Sequence, residues 1–492
     1  MNILRRILIL VVLIALKINL FGQDGSYTLY FMDRVPQSTL LNPAFQPKCN
    51  AFIGMPLASS YFMDIGNSTL SLNDILVKNP GMTVLSTPFS PNADSSTRAK
   101  FLNSLKDNNS FYSNFQEEIL TFGFRISDLY FTFGATLKSN SGFNYPGDLF
   151  KLAINGIDTA TNYNLGNLGA NSTTYVELAL GLSKKFNDAF SIGVRGKLLN
   201  GIADVSSGNN KFTIKSNVDP LNKLFKLDIS SDMTINSYVP VVSGLDSIFD
   251  GKKIKTLSNP LKHLPILKSI GFAADFGFSY FGINHLVLSA SLIDFGYINW
   301  KQDVNNISLK GNFSFEGVQY DFVNNKDNSK ILQNIEDTLK KAVKVTTTKA
   351  QYKTWLPTKL YIGMEFLPEE YFSLGLLSAT QIYKQQLTQQ LTLSANLKPF
   401  KMWHLSASYS VLNNGFSNVG FGMALKFTAL QFYFVSDNIP VRFGHYGGVP
   451  IVPYKLQSFS YRVGSNWVFG CNTKKKKEAD KPLIFEDVLL DK

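Results

Sequence analysis

Apolar and polar positions alternate along most of this chain, in segments of about ten residues joined in pairs by tight turns. The clearest segment is LQSFSYRVGSNWVF, Leu456 to Phe469. There Phe459, Tyr461, Val463, Trp467 and Phe469 fall on one side, interrupted only by Ser465. A period of two turns one strand face to an apolar medium and the other to a polar one. The run is long enough to cross a bilayer as a tilted strand of about 9–11 residues, and it ends on aromatics of the membrane–water boundary. One such strand also fits a soluble sandwich, so the decision rests on repetition.

The repetition is extensive. Leu120, Phe122, Phe124 and Ile126 lead through Ser127-Asp128 into Leu129, Phe131, Phe133, Ala135 and Leu137. Equivalent hairpins are read at 176–198, 270–298, 360–376, 391–411 and 419–434, and Ala51 to Phe62 reads as a first strand that Pro56 bends. Tight turns alternate with long polar connections at 139–172, 239–266, 299–355 and 437–455, the asymmetry of an outer-membrane barrel. The count is about fourteen strands, an even number. The expected fold is all-β, a closed antiparallel transmembrane β-barrel. Two possible short helices, Leu72–Val77 and Arg98–Leu105, sit in a polar excursion at 64–115. Lys211–Val218 with Leu227–Val239, and Ile307–Phe322, are too polar for lipid and are placed above the membrane. Asn328–Val345 has helical spacing and reads as a short amphipathic helix.

The N-terminus changes the compartment. Arg5 and Arg6 precede the apolar run Ile7–Leu16, followed by a short polar stretch to Gly22, which is the pattern of a signal peptide with cleavage before Gln23. The expected division is a signal peptide at 1–22, an N-terminal segment at 23–48, a barrel at 49–471 and a periplasmic tail at 472–492 in the bacterial outer membrane. Only 17% of residues are charged, while Phe numbers 40 and Tyr 21, fitting an apolar outer surface that meets outer-membrane lipids. The formal charge of +12 falls to +9 once Arg5, Arg6 and Lys17 are removed (12 − 3). The remaining basic residues are scattered, so no nucleic-acid partner is expected.

The polar strand faces are mostly small, as at Gly271, Ala273, Gly277 and Ser279, or Ser406, Ser408 and Ser410, leaving room for water, a ligand or a folded-in segment. Among them lie Arg125, Glu177, Arg195, Lys197, Asp275, Glu365, His404, Lys426 and Arg462. Two readings stay open for these lumen candidates: a salt-bridged network that stiffens the barrel, or a basic lumen for anionic solutes. His263, His285, His404 and His445 are scattered, and no metal-ligand spacing, phosphate loop or nucleophile elbow appears. No enzyme activity and no cofactor are expected.

Arg462, Gly464, Trp467 and Phe469 stand in an order that resembles the signal read by the barrel-assembly machinery, which is thereby an expected partner. Asn42-Pro43-Ala44 resembles a motif of the FadL-like barrels, which carry fatty acids and other hydrophobic compounds. YFMDRVPQSTLLNPAFQP (30–47), AADFGFSY (273–280) and LIDFGYINW (292–300) together look like a FadL-related family of Bacteroidota outer-membrane barrels whose function is unknown. That resemblance implies fourteen strands with an N-terminal hatch at 23–48 in the lumen, and uptake or binding of a small hydrophobic or amphipathic ligand. The same superfamily includes the type IX secretion shuttle barrel, which implies the alternative of a non-transporting scaffold. A periplasmic or secretion-system partner would then meet the tail, where Lys474–Lys477 are followed by PLIFEDVLLDK.

The only cysteines, Cys49 and Cys471, flank the first and last strands. In a closed barrel those strands are neighbours, and both thiols fall at the periplasmic end of one seam. A Cys49–Cys471 disulfide is therefore expected in that oxidising compartment.

Overall fold

The structure is a computed structural model describing residues 26–75, 87–90, 93–156, 160–186, 189–208, 210–218, 225–239, 242–243, 255–256, 268–316, 344–383, 386–412, 415–439, 443–446, 449–453 and 457–471. Fourteen antiparallel strands close into a ring. β1 comes in two pieces, Ala51–Gly54 and Tyr61–Asn67. After it come β2 (Asn108–Ile126), β3 (Leu129–Pro146), β4 (Gly169–Phe186), β5 (Phe190–Ser207), β6 (Ile270–Ile283) and β7 (Leu286–Trp300). The rest are β8 (Thr358–Glu369), β9 (Phe372–Tyr383), β10 (Gln386–Leu397), β11 (Trp403–Leu412), β12 (Gly415–Phe427), β13 (Leu430–Ile439) and β14 (Ser458–Phe469). Each strand pairs with its neighbour in sequence. β14 completes the ring between β13 (Leu430↔Trp467) and β1 (Ala51↔Phe469, Tyr61↔Val463). Closure leaves no unpaired barrel edge, which is what lets a sheet cross lipid.

The period-two pattern decides which side each residue meets. On β4, Leu178, Leu180 and Leu182 are exposed while Glu177, Ala179 and Ser183 are buried. On β14, Trp467 and Phe469 point outward and Arg462 and Asn466 inward. Tyr371, Phe400, Phe427 and Trp467 are exposed at the end of the barrel with the tight turns, an aromatic girdle of the kind found at a membrane interface. Among the described residues no helix is long and apolar enough to span a membrane. This is an outer-membrane β-barrel, and its short turns mark the periplasmic end.

Several strands run further than the alternation of apolar residues indicated. β3 and β4 stay paired from Ser139↔Thr174 up to Asn144↔Gly169, within the stretch expected to be loop. Ser139 and Ser141 hydrogen-bond across to Thr174 and Ser172 at 2.9 and 2.8 Å. Strand that has risen above the lipid has no apolar face, so periodicity does not reveal it. Lys211–Val218, Phe225–Tyr238 and Asn305–Glu316 continue this sheet outward. Tyr163, Ile214, Leu227, Ile229 and Phe313 form a small core between them and neighbouring segments.

The helix expected at Arg98–Leu105 runs over Ser95–Ser104, because Asp94 caps it and accepts the Thr97 N–H at 2.6 Å. A single turn covers Leu72–Ile75, and Val77 lies outside the described residues. The helix expected over Asn328–Val345 is corrected at its end. Lys344–Thr348 is a strand paired with Asn306–Lys310, where the β-branched Val345, Thr346, Thr347 and Thr348 favour the ladder. Residues 328–343 lie outside the described residues.

Candidate functional site

Residues 26–48 lie inside the barrel. Three prolines keep them from regular helix or strand, and they fold as two 3-10 turns, Tyr27–Phe31 and Pro36–Leu40. Their apolar side chains make a core of their own within the lumen. Leu29, Tyr30, Phe31, Met32 and Val35 pack with Ile293, Tyr361, Leu377, Tyr433 and Val435 of the wall.

The wall is shaped for this segment by glycine. A Cβ on Gly193 would come within 2.1 Å of the Pro43 carbonyl oxygen, and one on Gly277 within 2.2 Å of Asn42 Oδ1. On the opposite side, a Cβ on Gly375 would run into the Phe31 ring, and one on Gly422 would come within 2.6 Å of Met32 Sδ. Small inward positions thus correspond to a folded-in segment, one of the occupants that the sequence left open.

Polar contacts fix the segment in register. Asn42, fully buried, sends Nδ2 toward Tyr30 Oη and the carbonyls of Phe278 and Ala290, each at 3.3 Å, while its Oδ1 accepts the Ala44 N–H at 2.9 Å. Pro43 and Ala44 follow against β5 and β6, and Ser191 Oγ donates to the Ala44 carbonyl at 2.8 Å. Arg195 donates to the Thr39 carbonyl at 2.9 Å. Near the N-terminal end, the Thr28 N–H and Oγ1 both donate to Asp437 Oδ1, at 2.7 and 2.6 Å. Arg34 donates to the carbonyls of Phe400 and Trp403 in a periplasmic turn. Asp33 pairs with Lys48 (2.6 Å) and Lys398 (2.9 Å). Burial works to raise the Asp33 carboxyl, but the charges of Lys398 and Lys48 outweigh it and hold the group below the usual carboxylate range.

Above the segment sits a buried ionic network. Lys197 Nζ reaches Asp294 Oδ1 at 2.5 Å, Asp275 Oδ1 at 2.8 Å and Glu177 Oε2 at 3.6 Å, and Arg195 reaches Asp275 at 3.4 Å. Lys138 joins Glu177 and Asp294 at 2.8 and 3.4 Å, and Lys359 lies 3.7 Å from Asp294. Sequence reading found Glu177, Arg195, Lys197 and Asp275 but missed Lys138, Asp294 and Lys359. Asp294 was hidden by a bulge in β7, where the register shifts between Ala274↔Phe295 and Phe276↔Leu292 and its own φ is +59°. The bulge takes Asp294 out of the simple alternation and turns it inward. Each of the four basic residues of this network contacts at least one of its three carboxylates, an arrangement that braces the wall. The cavity it helps to line is about 30 Å³ measured at water centres, room for about two waters.

The other candidates are dispersed. Arg462 donates to Ser26 Oγ and Ser60 Oγ and lies over the Phe62 ring. Arg125 sits at the periplasmic rim, bonded to Gln46 and to the Pro47 carbonyl. Glu365 accepts from Ser373 at 2.6 Å. His404 is buried with Nδ1 3.8 Å from Asp33 Oδ1. Lys426 lies partly buried beside the rim, its backbone N–H bonded to the Met402 carbonyl. Gly464 faces inward against the Ser59 carbonyl.

Between its two pieces, β1 swells outward. Pro56, Leu57 and Ala58 are exposed, and Leu57 has a φ of +58°. Ser59 turns inward to Glu118 Oε2 at 2.7 Å and Gln37 Nε2 at 3.1 Å. Below this bulge, Cys49 and Cys471 are joined by a disulfide, with Cα atoms 4.0 Å apart.

The family described as "Family of unknown function (DUF5723)" matches residues 43–437. No curated protein matches the chain. Among solved structures, the Ralstonia pickettii toluene transporter TbuX is similar with 8% identity and a TM-score of 0.40, over 89% of this chain and 94% of that one. The P. putida toluene transporter TodX is similar with 12% identity and a TM-score of 0.39, over 88% and 94%. A Pseudomonas aeruginosa FadL homologue is similar with 11% identity and a TM-score of 0.35, over 89% and 94%.

Proposed function

We propose a function for a chain that belongs to the DUF5723 family of unknown function: passive uptake or binding of a small hydrophobic or amphipathic molecule at the outer membrane. One observation carries the reading. The lumen holds an apolar surface, formed by Ile293, Tyr361, Leu377, Tyr433 and Val435, that Leu29, Tyr30, Phe31, Met32 and Val35 cover. A water-filled pore has no use for such a surface, whereas an apolar solute gains from it roughly 25 cal/mol for each Å² removed from water. Residues 26–48 act as the hatch over it, and the β1 bulge at Pro56–Ala58, bonded to Ile119 on one side and Ser465 on the other, is the place where a lateral path to lipid would open. The test is binding of a fluorescent naphthylamine probe to the protein in lipid nanodiscs. Saturable binding that Tyr361→Arg abolishes supports the reading. If neither the full chain nor one lacking residues 24–48 binds, it fails.

A second reading is supported by the sheet that rises above the membrane, with its own core of Tyr163, Ile214, Leu227 and Phe313. A platform of this kind suits an accessory barrel of surface assembly. Crosslinking from Phe212 and Thr213 in intact cells tests it, and capture of no surface protein counts against it.

A further inference from the structure

The hatch does not suit every part of its seat. On β10 and β11, Asn396 and His404 are 0% and 1% exposed, and Ser406 is 2% exposed. Asn396 Oδ1 and Nδ2, both ring nitrogens of His404, and Ser406 Oγ have no hydrogen-bond partner. Asn396 stands opposite Ser406 in register, and His404 is two residues along the same strand, so the three are neighbours on one patch of wall. The hatch brings the Asp33 carboxylate no closer than 3.8 Å to His404 Nδ1, beyond hydrogen-bond distance, and its other groups there are apolar. Met32 Sδ lies against Gly422, the cross-strand partner of Ser406, and the Phe31 ring lies against Gly375, the partner of Ser394.

The opposite wall behaves differently. There Arg195, Ser191 and Ser291 each donate to a hatch carbonyl, and Asn42 reaches two wall carbonyls. Its own unpartnered hydroxyls, among the described residues, are those of Ser279 and of Tyr130 and Ser183, which stand opposite each other in register. Buried polar atoms are nearly always paired, and five unpaired ones on three adjacent residues mark a surface whose complement is missing.

We propose that Asn396, His404 and Ser406 form a binding patch for a neutral polar group, a hydroxyl, ether or amide, which enters when Phe31 and Met32 move aside. The patch offers donors and acceptors together. The charges near it already have partners, Asp33 pairing with Lys398 at 2.9 Å and Lys48 at 2.6 Å and Arg34 donating to the carbonyls of Phe400 and Trp403, which leaves uncharged donors and acceptors as the patch's own offer. It adjoins the apolar surface formed by Leu377 and Tyr433, and the two together fit an amphiphile with an uncharged head. This deepens the uptake reading by naming the ligand class, and it rests on that reading for the ligand's apolar part.

The native cysteines are joined to each other, so an introduced thiol is the one that reacts. Ser406→Cys, in lipid nanodiscs, is treated with a small water-soluble thiosulfonate, with Ser291→Cys on the opposite wall as reference. The expected result is labelling at position 406 at least tenfold faster than at 291. Octyl glucoside, below its micelle concentration, is expected to slow it, decanoate is not, and adding Asn396→Leu removes the protection. Equal labelling at the two walls, or equal protection by the two amphiphiles, overturns the proposal. Protection by octyl glucoside in a protein that binds no naphthylamine probe would keep the patch and discard the uptake reading.

Discussion

Asn42→Ala should loosen the hatch while leaving the barrel closed. Asn42 Nδ2 makes three long, forked contacts at 3.3 Å, which together amount to about one weak bond. The stronger interaction is the 2.9 Å acceptance of the Ala44 N–H, and its loss leaves that donor buried without a partner. An orphaned buried donor costs about 1–3 kcal/mol and a lost bond about 1 kcal/mol, so the seat weakens by about 2–4 kcal/mol. That free energy falls on the hatch rather than the wall, because β6 and β7 remain paired from Gly271↔Ile298 to Ile283↔Leu286 without it. At tenfold per 1.4 kcal/mol, the opened population should rise roughly 30- to 700-fold. Hydrogen exchange followed by mass spectrometry reads this directly, since exchange from locally opened states tracks their population. Peptides covering 27–47 should accelerate by that factor while those of β6 and β7 do not change. Acceleration below about threefold, or equal acceleration of hatch and strands, refutes the reasoning.

Three further outcomes follow from other parts of the structure. Replacing Cys49 and Cys471 by serine removes a crosslink spanning 422 residues, worth up to about 6 kcal/mol in the chain-entropy account. The folded form should then lose its resistance to heat in SDS at lower temperature, and an unchanged transition would show that the seam does not rely on the staple. Lys197→Met leaves Asp275 and Asp294 without their shortest cation contact, so stability should fall by about 3–5 kcal/mol in denaturant titrations. A neutral result would mean that Lys138, Arg195 and Lys359 suffice. Asp33 is held below its unfolded value of about 3.9, so its contribution is complete above that pH and is lost as pH falls through the lower folded value. Hatch exchange, divided at each pH by the intrinsic rate of an unprotected amide, should therefore stay flat from pH 8 to about pH 4 and rise below it, and Asp33→Asn should remove the acid response. A rise already complete at pH 5 would contradict this.

The barrel was legible because lipid and lumen impose a strict period of two on every strand, and Phe, Leu and Val mark the outer side from Leu120 to Phe469. Strand length was less legible. Ser139–Asn144 and Gly169–Thr174 pair above the lipid, where no apolar face is required. The ionic network was half visible, since Lys138, Asp294 and Lys359 differ in no local way from solvated charges, and a bulge sets the direction of Asp294. Small inward residues announced an occupant without identifying it, and only the fit of Gly193 and Gly277 to Asn42–Ala44 shows which segment fills the space. The unpartnered atoms of Asn396 and His404 have no sequence signature, because they arise where Met32 and Phe31 meet the wall.

Residues 26–48, which close the lumen, are the element on which the proposed function depends most directly. Planar-bilayer recording compares the full chain with one lacking residues 24–48, which keeps Cys49 for the staple, after both have been shown to form heat-resistant folded barrels. With the hatch in place the cavity has room for about two waters, and no steady ion current is expected. The shortened chain should conduct stably in every insertion. A full chain that conducts as well as the shortened one, or a shortened barrel that stays closed, would contradict the account.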